Sequence, residues 1–135
     1  MKAELKERLS TKIEEGEFEV SDIPAFLDLF CQLGNDVEDL QDEVEDWNRR
    51  LMFVLDGLGT YVITVQDGHF SLHEGMVDNV QFVLKMAAAE AAQVFAGDKD
   101  AATAYMNGDL VIEGELPDAI LVQTLIEMVI EEIQY

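Results

Sequence analysis

The residues best suited to metal or acid–base chemistry in this sequence are its two histidines, His69 and His73. They lie in a stretch of alternating polarity, which predicts a β-strand with both side chains on one face. At about 3.3 Å per residue their Cα atoms would be roughly 13 Å apart, too far for both to bind one metal ion. The spacing therefore predicts no metal site here, and the hairpin register described below places both imidazoles on the solvent side.

A second candidate for metal binding is the segment around Asp98 and Asp100, which has the spacing of the first two ligands of a calcium loop. Ala102 stands at the next ligand position and the central glycine is missing, so calcium binding is not expected. The sequence also lacks a phosphate-binding loop, a dinucleotide-binding glycine motif, a nucleophile elbow and zinc-ligand spacing. These observations predict a binding protein without a cofactor, not an enzyme. A small isomerase ranks last because no particular residue supports it.

The composition is strongly acidic, with 29 Asp and Glu residues, 8 Lys and Arg residues and a formal net charge of -21. After Arg50 the basic residues are Lys85 and Lys99 alone. Such a surface repels phosphate, so binding to nucleic acid or to anionic lipid headgroups is disfavoured. Because 49% of the residues are hydrophobic, the chain is expected to fold, and 135 residues suit a single core.

A cytoplasmic location is expected from three features of the sequence. The single cysteine, Cys31, rules out an internal disulfide and has the apolar neighbours of a small buried side chain. The first ten residues lack the apolar core of a signal peptide. No apolar run is long enough to span a bilayer.

The first half of the chain predicts three helices. Apolar residues recur at fours from Leu5 to Ile13 and predict the first helix. The second is predicted from Ser21, as N-cap, to Gly34, and the third is predicted to begin at Asn35, as N-cap. Together these helices form a predicted N-terminal extension, residues 1–46, packed on or beside a domain of residues 47–135.

The segment TYVITVQDGHFSLHE predicts a β-hairpin, because Asp67-Gly68 is a favoured pair for a two-residue type I′ turn. This turn fixes the register, so that Val65 faces Phe70. The register sorts the side chains, since a slip by one residue would mix apolar and polar positions on each face. One face carries Tyr61, Ile63, Val65, Phe70 and Leu72, and the other carries mostly Thr64, Gln66, Ser71 and the two histidines.

The remaining segments complete a sheet and its covering helices. VQFVLKM and DLVIE alternate in polarity, whereas RLMFVL is apolar on both faces, as is typical of a central strand. An alanine-rich stretch broken at Gly97 predicts two short helices. The predicted order is three helices, four strands, two short helices, a fifth strand and a closing helix. This order predicts an α+β fold with a five-stranded, mainly antiparallel sheet and helices packed on one face.

The closing helix carries more apolar surface than contact with a sheet requires. At 100° per residue its apolar residues cover an arc of about 200°, roughly twice the usual width. The second contact could be another helix of the chain, a dimer partner or an apolar ligand. Small side chains such as Ala104, beside adaptable methionines and aromatic rings, favour a cavity and therefore the ligand.

The segments VITVQDGHFSL, VQFVLKM-AAAEAAQVFAG and GDKDAATAYMNGDLVIEGELPDAILVQTLI resemble the sterol carrier protein type 2 family over about residues 50–133. The resemblance implies an apolar tunnel between sheet and helices, and non-covalent binding and transfer of sterols, fatty acids, fatty acyl-CoA or other lipids. By position, it implies that the tunnel is lined or bordered by Phe82, Leu84, Met86, Phe95, Tyr105, Met106, Leu110, Ile112, Leu121, Val122, Leu125 and Met128.

The predicted function is therefore non-catalytic binding and transfer of an apolar lipid. A fatty-acid-like or other single-chain ligand is preferred, and a sterol remains open. The alternative is an interaction module with a fully packed core, in which the apolar arc of the closing helix forms a homodimer or contacts another protein.

Overall fold

The computed structural model describes residues 2–134, and the elements follow one another in the predicted order. A 3₁₀ turn at Val20–Asp22 precedes the second helix. The helices are α1 (Lys2–Glu14), α2 (Ile23–Asp36), α3 (Glu38–Glu43), α4 (Ala88–Phe95), α5 (Ala101–Met106) and α6 (Leu116–Gln134). The strands are β1 (Arg49–Asp56), β2 (Gly59–Gln66), β3 (His69–Glu74), β4 (Phe82–Ala87) and β5 (Leu110–Glu113).

The five strands form one sheet in the order β3-β2-β1-β4-β5. Strands β1 and β4 pair in parallel, and the other three pairings are antiparallel. Strand β1 is central, as its two apolar faces predicted. The hairpin register is also confirmed, because Val65 pairs with Phe70 and Asp67 and Gly68 both have positive φ. That combination of torsion angles is the one a type I′ turn requires.

The core lies between the inner face of the sheet and the helices. Alternate residues of four neighbouring strands, such as Phe53, Ile63, Phe70 and Phe82, are at most 1% exposed. The intervening residues of β1 on the outer face are half-buried. The α+β class, with a five-stranded sheet and helices on one face, is thus confirmed.

Helix α2 is part of this core. Phe26 is fully buried, and its ring stacks on that of Phe95 in α4, with 4.5 Å between centroids and 14° between planes. Phe95 also makes an edge contact with Phe53 of β1, at 6.4 Å. The aromatic stack therefore joins the N-terminal helices to the sheet through α4.

Two predicted helix caps are wrong. Ser21 lies within the 3₁₀ turn and Asp22 is the N-cap residue of α2. Asn35 lies inside α2. Its side-chain Nδ2 donates to the backbone oxygen of Phe70 (2.9 Å), and its Oδ1 accepts from the backbone N–H of Phe70 (2.7 Å). Since β3 is an edge strand, Asn35 satisfies backbone groups that have no strand partner. The hydrogen bonds between Asn35 and β3 therefore outweigh the preference of asparagine for an N-cap position.

Replacing Gly34 with alanine is expected to destabilise the fold by about 1–3 kcal/mol, the usual cost of overpacking. A Cβ at Gly34 would lie 2.7 Å from three atoms of the Phe70 ring, which is itself only 1% exposed. In an open helix position the same change would stabilise by up to about 1 kcal/mol, so the sign of the effect distinguishes the two situations. Urea unfolding measures it, and combining the change with Phe70→Leu should recover part of the loss. A stabilised Gly34→Ala variant would contradict this packing.

Candidate functional site

An apolar cavity of about 380 Å³ lies between α5, the first half of α6 and the inner face of β4 and β5. No lining residue is charged, and the two lining side chains with polar groups are Tyr105 and Gln123. Three other clefts each include at least two carboxylates in their lining. The lining comprises Phe82, Leu84, Ala101, Ala102, Tyr105, Met106, Leu110, Ile112, Gly114, Leu116, Ala119, Ile120, Val122, Gln123 and Ile126.

The cavity arises from large side chains on the strands opposite small side chains on the helices. Strand alternation turns Phe82 and Leu84 of β4 inward, and their helical neighbours across the gap include Ala102 and Ala119. Alanines are too short to fill the space that leucines would fill, so the gap remains apolar and open.

Gly114, between β5 and α6, lets the chain turn close to the sheet. It has φ +150, and a Cβ built there would lie 2.7 Å from Cδ2 of Phe82. Glycine is therefore the residue that fits at this corner of the cavity.

The mouth of the cavity is surrounded by exposed apolar side chains. Met106 is 83% exposed, Leu116 72%, Ile120 58% and Tyr105 54%. We call these four residues the apolar rim. Large apolar side chains clustered in water are typical of binding surfaces, whereas isolated ones are ordinary.

The start of α6 is anchored beside the cavity by Asp118, whose residue is only 5% exposed. Its carboxylate accepts hydrogen bonds from Nε1 of Trp47 and from Nε of Arg49, each at 2.9 Å. These bonds join α6 to the beginning of β1 across 69 and 71 residues of sequence. A buried carboxylate is stable only with such partners, so these contacts fix the position of the cavity wall.

The two lysines closest in sequence to the lining residues, Lys85 and Lys99, both form ion pairs with carboxylates. Nζ of Lys99, just before α5, lies 2.6 Å from Glu90 and 3.2 Å from Asp109. The hydrogen bond that Lys99 donates to Glu90, with a smaller contribution from its bond to Asp109, raises the pKa of Lys99 against the opposing effect of burial. Lys85 of β4 lies 2.7 Å from Glu113 of β5. Both amines are therefore already paired with carboxylates.

The structure brings seven of the thirteen predicted ligand-binding residues to the cavity and places six elsewhere. Those at the cavity are Phe82, Leu84, Tyr105, Met106, Leu110, Ile112 and Val122. Those elsewhere are Met86, Phe95, Ala104, Leu121, Leu125 and Met128. Phe95 is covered by Phe26, and Ala104 and Leu125 are fully buried. Met128 borders a different cleft, together with Leu40 of α3.

The two apolar contacts of α6 are divided along its length. Its first half borders the cavity, and the helix also contacts α1, α2 and α3. An intramolecular helix contact thus accounts for part of the wide apolar arc, and Leu125 is fully buried outside the cavity lining. Within residues 2–134, no helix is both long and apolar enough to cross a bilayer.

The cavity residues that the sequence prediction missed are mostly small or exposed. They are Ala101, Ala102, Gly114, Leu116, Ala119, Ile120, Gln123 and Ile126. Ala119 and Ile126 belong to the apolar arc of the closing helix, which could have identified them. Exposed Leu116 and Ile120 give no such signal, since sequence alone does not show which apolar residues remain in water.

The described residues offer no site for metal or thiol chemistry. No group of three or more His, Cys, Asp or Glu side chains among residues 2–134 could hold a metal ion. His69 and His73 are both exposed on β3. Cys31 is 5% exposed, and burial, with a smaller effect of Asp28, raises the pKa of its thiol to about 12. Almost no reactive thiolate therefore forms near neutral pH.

The comparisons with known proteins agree with this architecture. A family model described as the SCP-2 sterol transfer family matches residues 27–127, which starts earlier than the resemblance over 50–133. A comparison of the sequence with curated proteins found no match.

Three solved structures with a similar fold are informative. Sterol carrier protein domain 2 of Helicoverpa armigera has a TM-score of 0.66 at 15% identity, covering 78% of this chain and 86% of that one. Palmitated SCP2L2 from Aedes aegypti has a TM-score of 0.57 at 11% identity, covering 75% and 90%. The sec-alkylsulfatase Pisa1 from Pseudomonas sp. has a TM-score of 0.60 at 17% identity, but the match covers 76% of this chain and only 15% of the sulfatase. At identities this low, the structural similarity establishes a shared fold alone. The family model, which spans well over half of the chain, establishes membership: this protein belongs to the SCP-2 sterol transfer family.

Proposed function

We propose that this protein binds a single-chain lipid non-covalently in the cavity between α5, α6 and the sheet, and carries it without chemical change. The observation that carries the proposal is the uncharged, apolar lining of a cavity of about 380 Å³. Ligand sites in proteins are typically lined in this way, with a few polar groups, and this volume is near the lower end of their range. The proposal is supported by a protein of similar fold, SCP2L2 from Aedes aegypti, whose structure was solved in a palmitated form.

The cavity suits the tail of a lipid in size and in energy. At about 30 Å³ for a group the size of water, the volume accommodates roughly a dozen methylene-sized groups. Burial yields about 0.8 kcal/mol per methylene, so such a tail gains roughly 10 kcal/mol before the cost of association. That cost is at least about 4 kcal/mol, which leaves at most about 6 kcal/mol, a dissociation constant of tens of micromolar. The rest of a longer chain would lie along the apolar rim.

Two measurements test lipid binding directly. Solvent extraction and native mass spectrometry of the purified protein should show co-purifying lipid. Nile red, an uncharged dye that fluoresces in apolar surroundings, should bind to stripped protein and be displaced by a single-chain lipid. A protein that arrives without lipid and takes up no dye would disprove the proposal.

The second candidate function is protein interaction, which the exposed apolar rim favours. In that case the rim would be covered by a second copy or by another protein, and the cavity would stay unoccupied. Analytical ultracentrifugation separates the two candidates, since a dimer that binds no dye supports interaction and a monomer that binds dye supports carriage. We place either activity in the cytoplasm, because the chain contains one cysteine, buried and unpaired.

A further inference from the structure

We propose, building on lipid binding in the cavity, that the site selects a single-chain lipid with an uncharged hydroxyl headgroup and discriminates against carboxylates. The proposal concerns the chemistry around the cavity, where a headgroup would lie once the tail is buried. It rests on three observations: the polar groups in the lining, the pairing of the nearby cations and the charge of the surrounding segments.

The polar groups in the lining are neutral. Tyr105 supplies a hydroxyl, which can donate and accept, and Gln123 supplies an amide. Nε2 of Gln123 donates to Glu127 at 3.3 Å, which leaves its carbonyl oxygen available as an acceptor. A lipid hydroxyl can use both groups. A carboxylate can only accept, so it cannot use the Gln123 carbonyl.

The nearby lysines already form ion pairs with carboxylates of this chain. Lys99 contacts both Glu90 and Asp109, and Lys85 contacts Glu113. A carboxylate headgroup would have to compete with these intramolecular partners for either amine. A buried carboxylate without a cation is strongly disfavoured, whereas a hydroxyl with a hydrogen-bond partner is tolerated.

A smaller cleft of about 230 Å³ beside the cavity is the strongest place to look for an anion site, because Lys99 lines it. It shares Ala101, Gln123 and Ile126 with the cavity, so a headgroup could reach it. However, Asp100 and Glu127 line the same cleft. With Glu90 and Asp109 also bound to Lys99, the negative groups outnumber the single amine, and the cleft repels an anion.

The wider electrostatic field acts in the same direction. Residues 82–134, which contain every lining residue, hold ten Asp and Glu side chains and two lysines. A negative surface lowers the local concentration of anionic ligands and slows their association. The selection against carboxylates should therefore appear in affinity and, at low salt, in association rate.

The test uses two ligands with the same tail, dodecanol and dodecanoate, each displacing Nile red from the full chain at pH 8. Dodecanol is expected to bind at least about tenfold more tightly than dodecanoate. Lowering the pH from 8 to 6 should tighten dodecanoate binding, by up to about tenfold per unit, because the neutral acid becomes more abundant. Dodecanol should show no such change, since its hydroxyl stays uncharged in this range and no histidine, carboxylate or amine among residues 2–134 lines the cavity.

A charge-adding variant supplies the cation that the site lacks. Ile120→Lys places an amine on the exposed rim, where the helix neighbours three and four positions away carry no carboxylate. It should narrow or reverse the preference for dodecanol. The matched control is Thr124→Lys, which adds the same charge on the same helix at a residue outside the lining and should keep the wild-type preference.

The outcomes separate headgroup selection from lipid carriage. If neither ligand displaces the dye, carriage itself is wrong. If dodecanoate binds as tightly as dodecanol at pH 8, carriage stands and the headgroup proposal is overturned. The proposal is also overturned if both lysine variants change the preference equally, because net charge alone would then explain the selectivity.

Discussion

The Phe26→Ala variant is expected to lose about 3–5 kcal/mol of folding stability, the usual cost of removing a buried phenylalanine side chain. The Phe26 ring is fully buried and stacks on Phe95, with edge contacts to Phe18 at 6.1 Å and to Phe30 at 6.4 Å. Removing it would leave a cavity at the junction of α2 and α4. Because domains are typically stable by only 5–15 kcal/mol, this one change should remove a large share of the total.

Denaturant unfolding measures this loss, with far-UV circular dichroism and the fluorescence of the single tryptophan, Trp47, as independent probes. Phe18→Ala is the matched control, because Phe18 is only half-buried and touches Phe26 from the edge. It should cost clearly less. A loss below about 1 kcal/mol in Phe26→Ala would contradict a shared core. It would instead indicate that α2 packs only weakly on the sheet. The predicted division into an extension, residues 1–46, packed on or beside a domain of residues 47–135 stays a prediction.

The sheet could be predicted because the residues that determine its turn and its strand register lie close together in the sequence. The Asp67-Gly68 turn sets the register within two residues, and alternation then assigns each side chain of β2 and β3 to a face. Strand β1 could be placed at the centre because its segment is apolar on both faces, and its outer-face residues are half-buried between the neighbouring strands.

The position of the N-terminal helices could not be predicted because it depends on contacts distant in sequence. Nothing near Phe26 shows that its ring stacks on Phe95, 69 residues later. The role of Asn35 could not be predicted for the same reason, since its side-chain amide forms hydrogen bonds with the backbone of Phe70 in β3. The α2 sequence shows that one face is buried, but not which surface covers it.

The same limit explains the candidate site. Strand residues such as Leu84 and Ile112 were identified because period two places them inward. On α6, the wide apolar arc indicated two contacts, but the division of the arc between α1–α3 and the cavity is a tertiary property. The family resemblance assigned Leu121 and Leu125 to the tunnel by position, whereas the structure places Ala119 and Ile120 in the cavity lining.

Filling the cavity with an indole should remove lipid binding while preserving the fold. Ala119 is half-buried in the first half of α6 and lines the cavity, so Ala119→Trp is expected to occupy space that a lipid tail would use. Displacing only two or three methylenes costs about 2 kcal/mol, so affinity should fall more than tenfold. Nile red titration and displacement by dodecanol measure the change. Ala104 is unsuitable for this test, because it is fully buried outside the lining and a large side chain there would disrupt packing.

The matched control is Ala89→Trp, which makes the same substitution at an exposed residue of α4 outside the cavity lining. Both variants should unfold at denaturant concentrations close to that of the wild type, which shows that any difference in binding arises at the site. Ala89→Trp should bind dye and dodecanol normally. Wild-type affinity in Ala119→Trp would mean that lipid binds elsewhere, and an equal loss in both variants would point to a general effect of the added indole. Only a selective loss in Ala119→Trp fits a lipid tail held between α5, α6 and the strands β4 and β5.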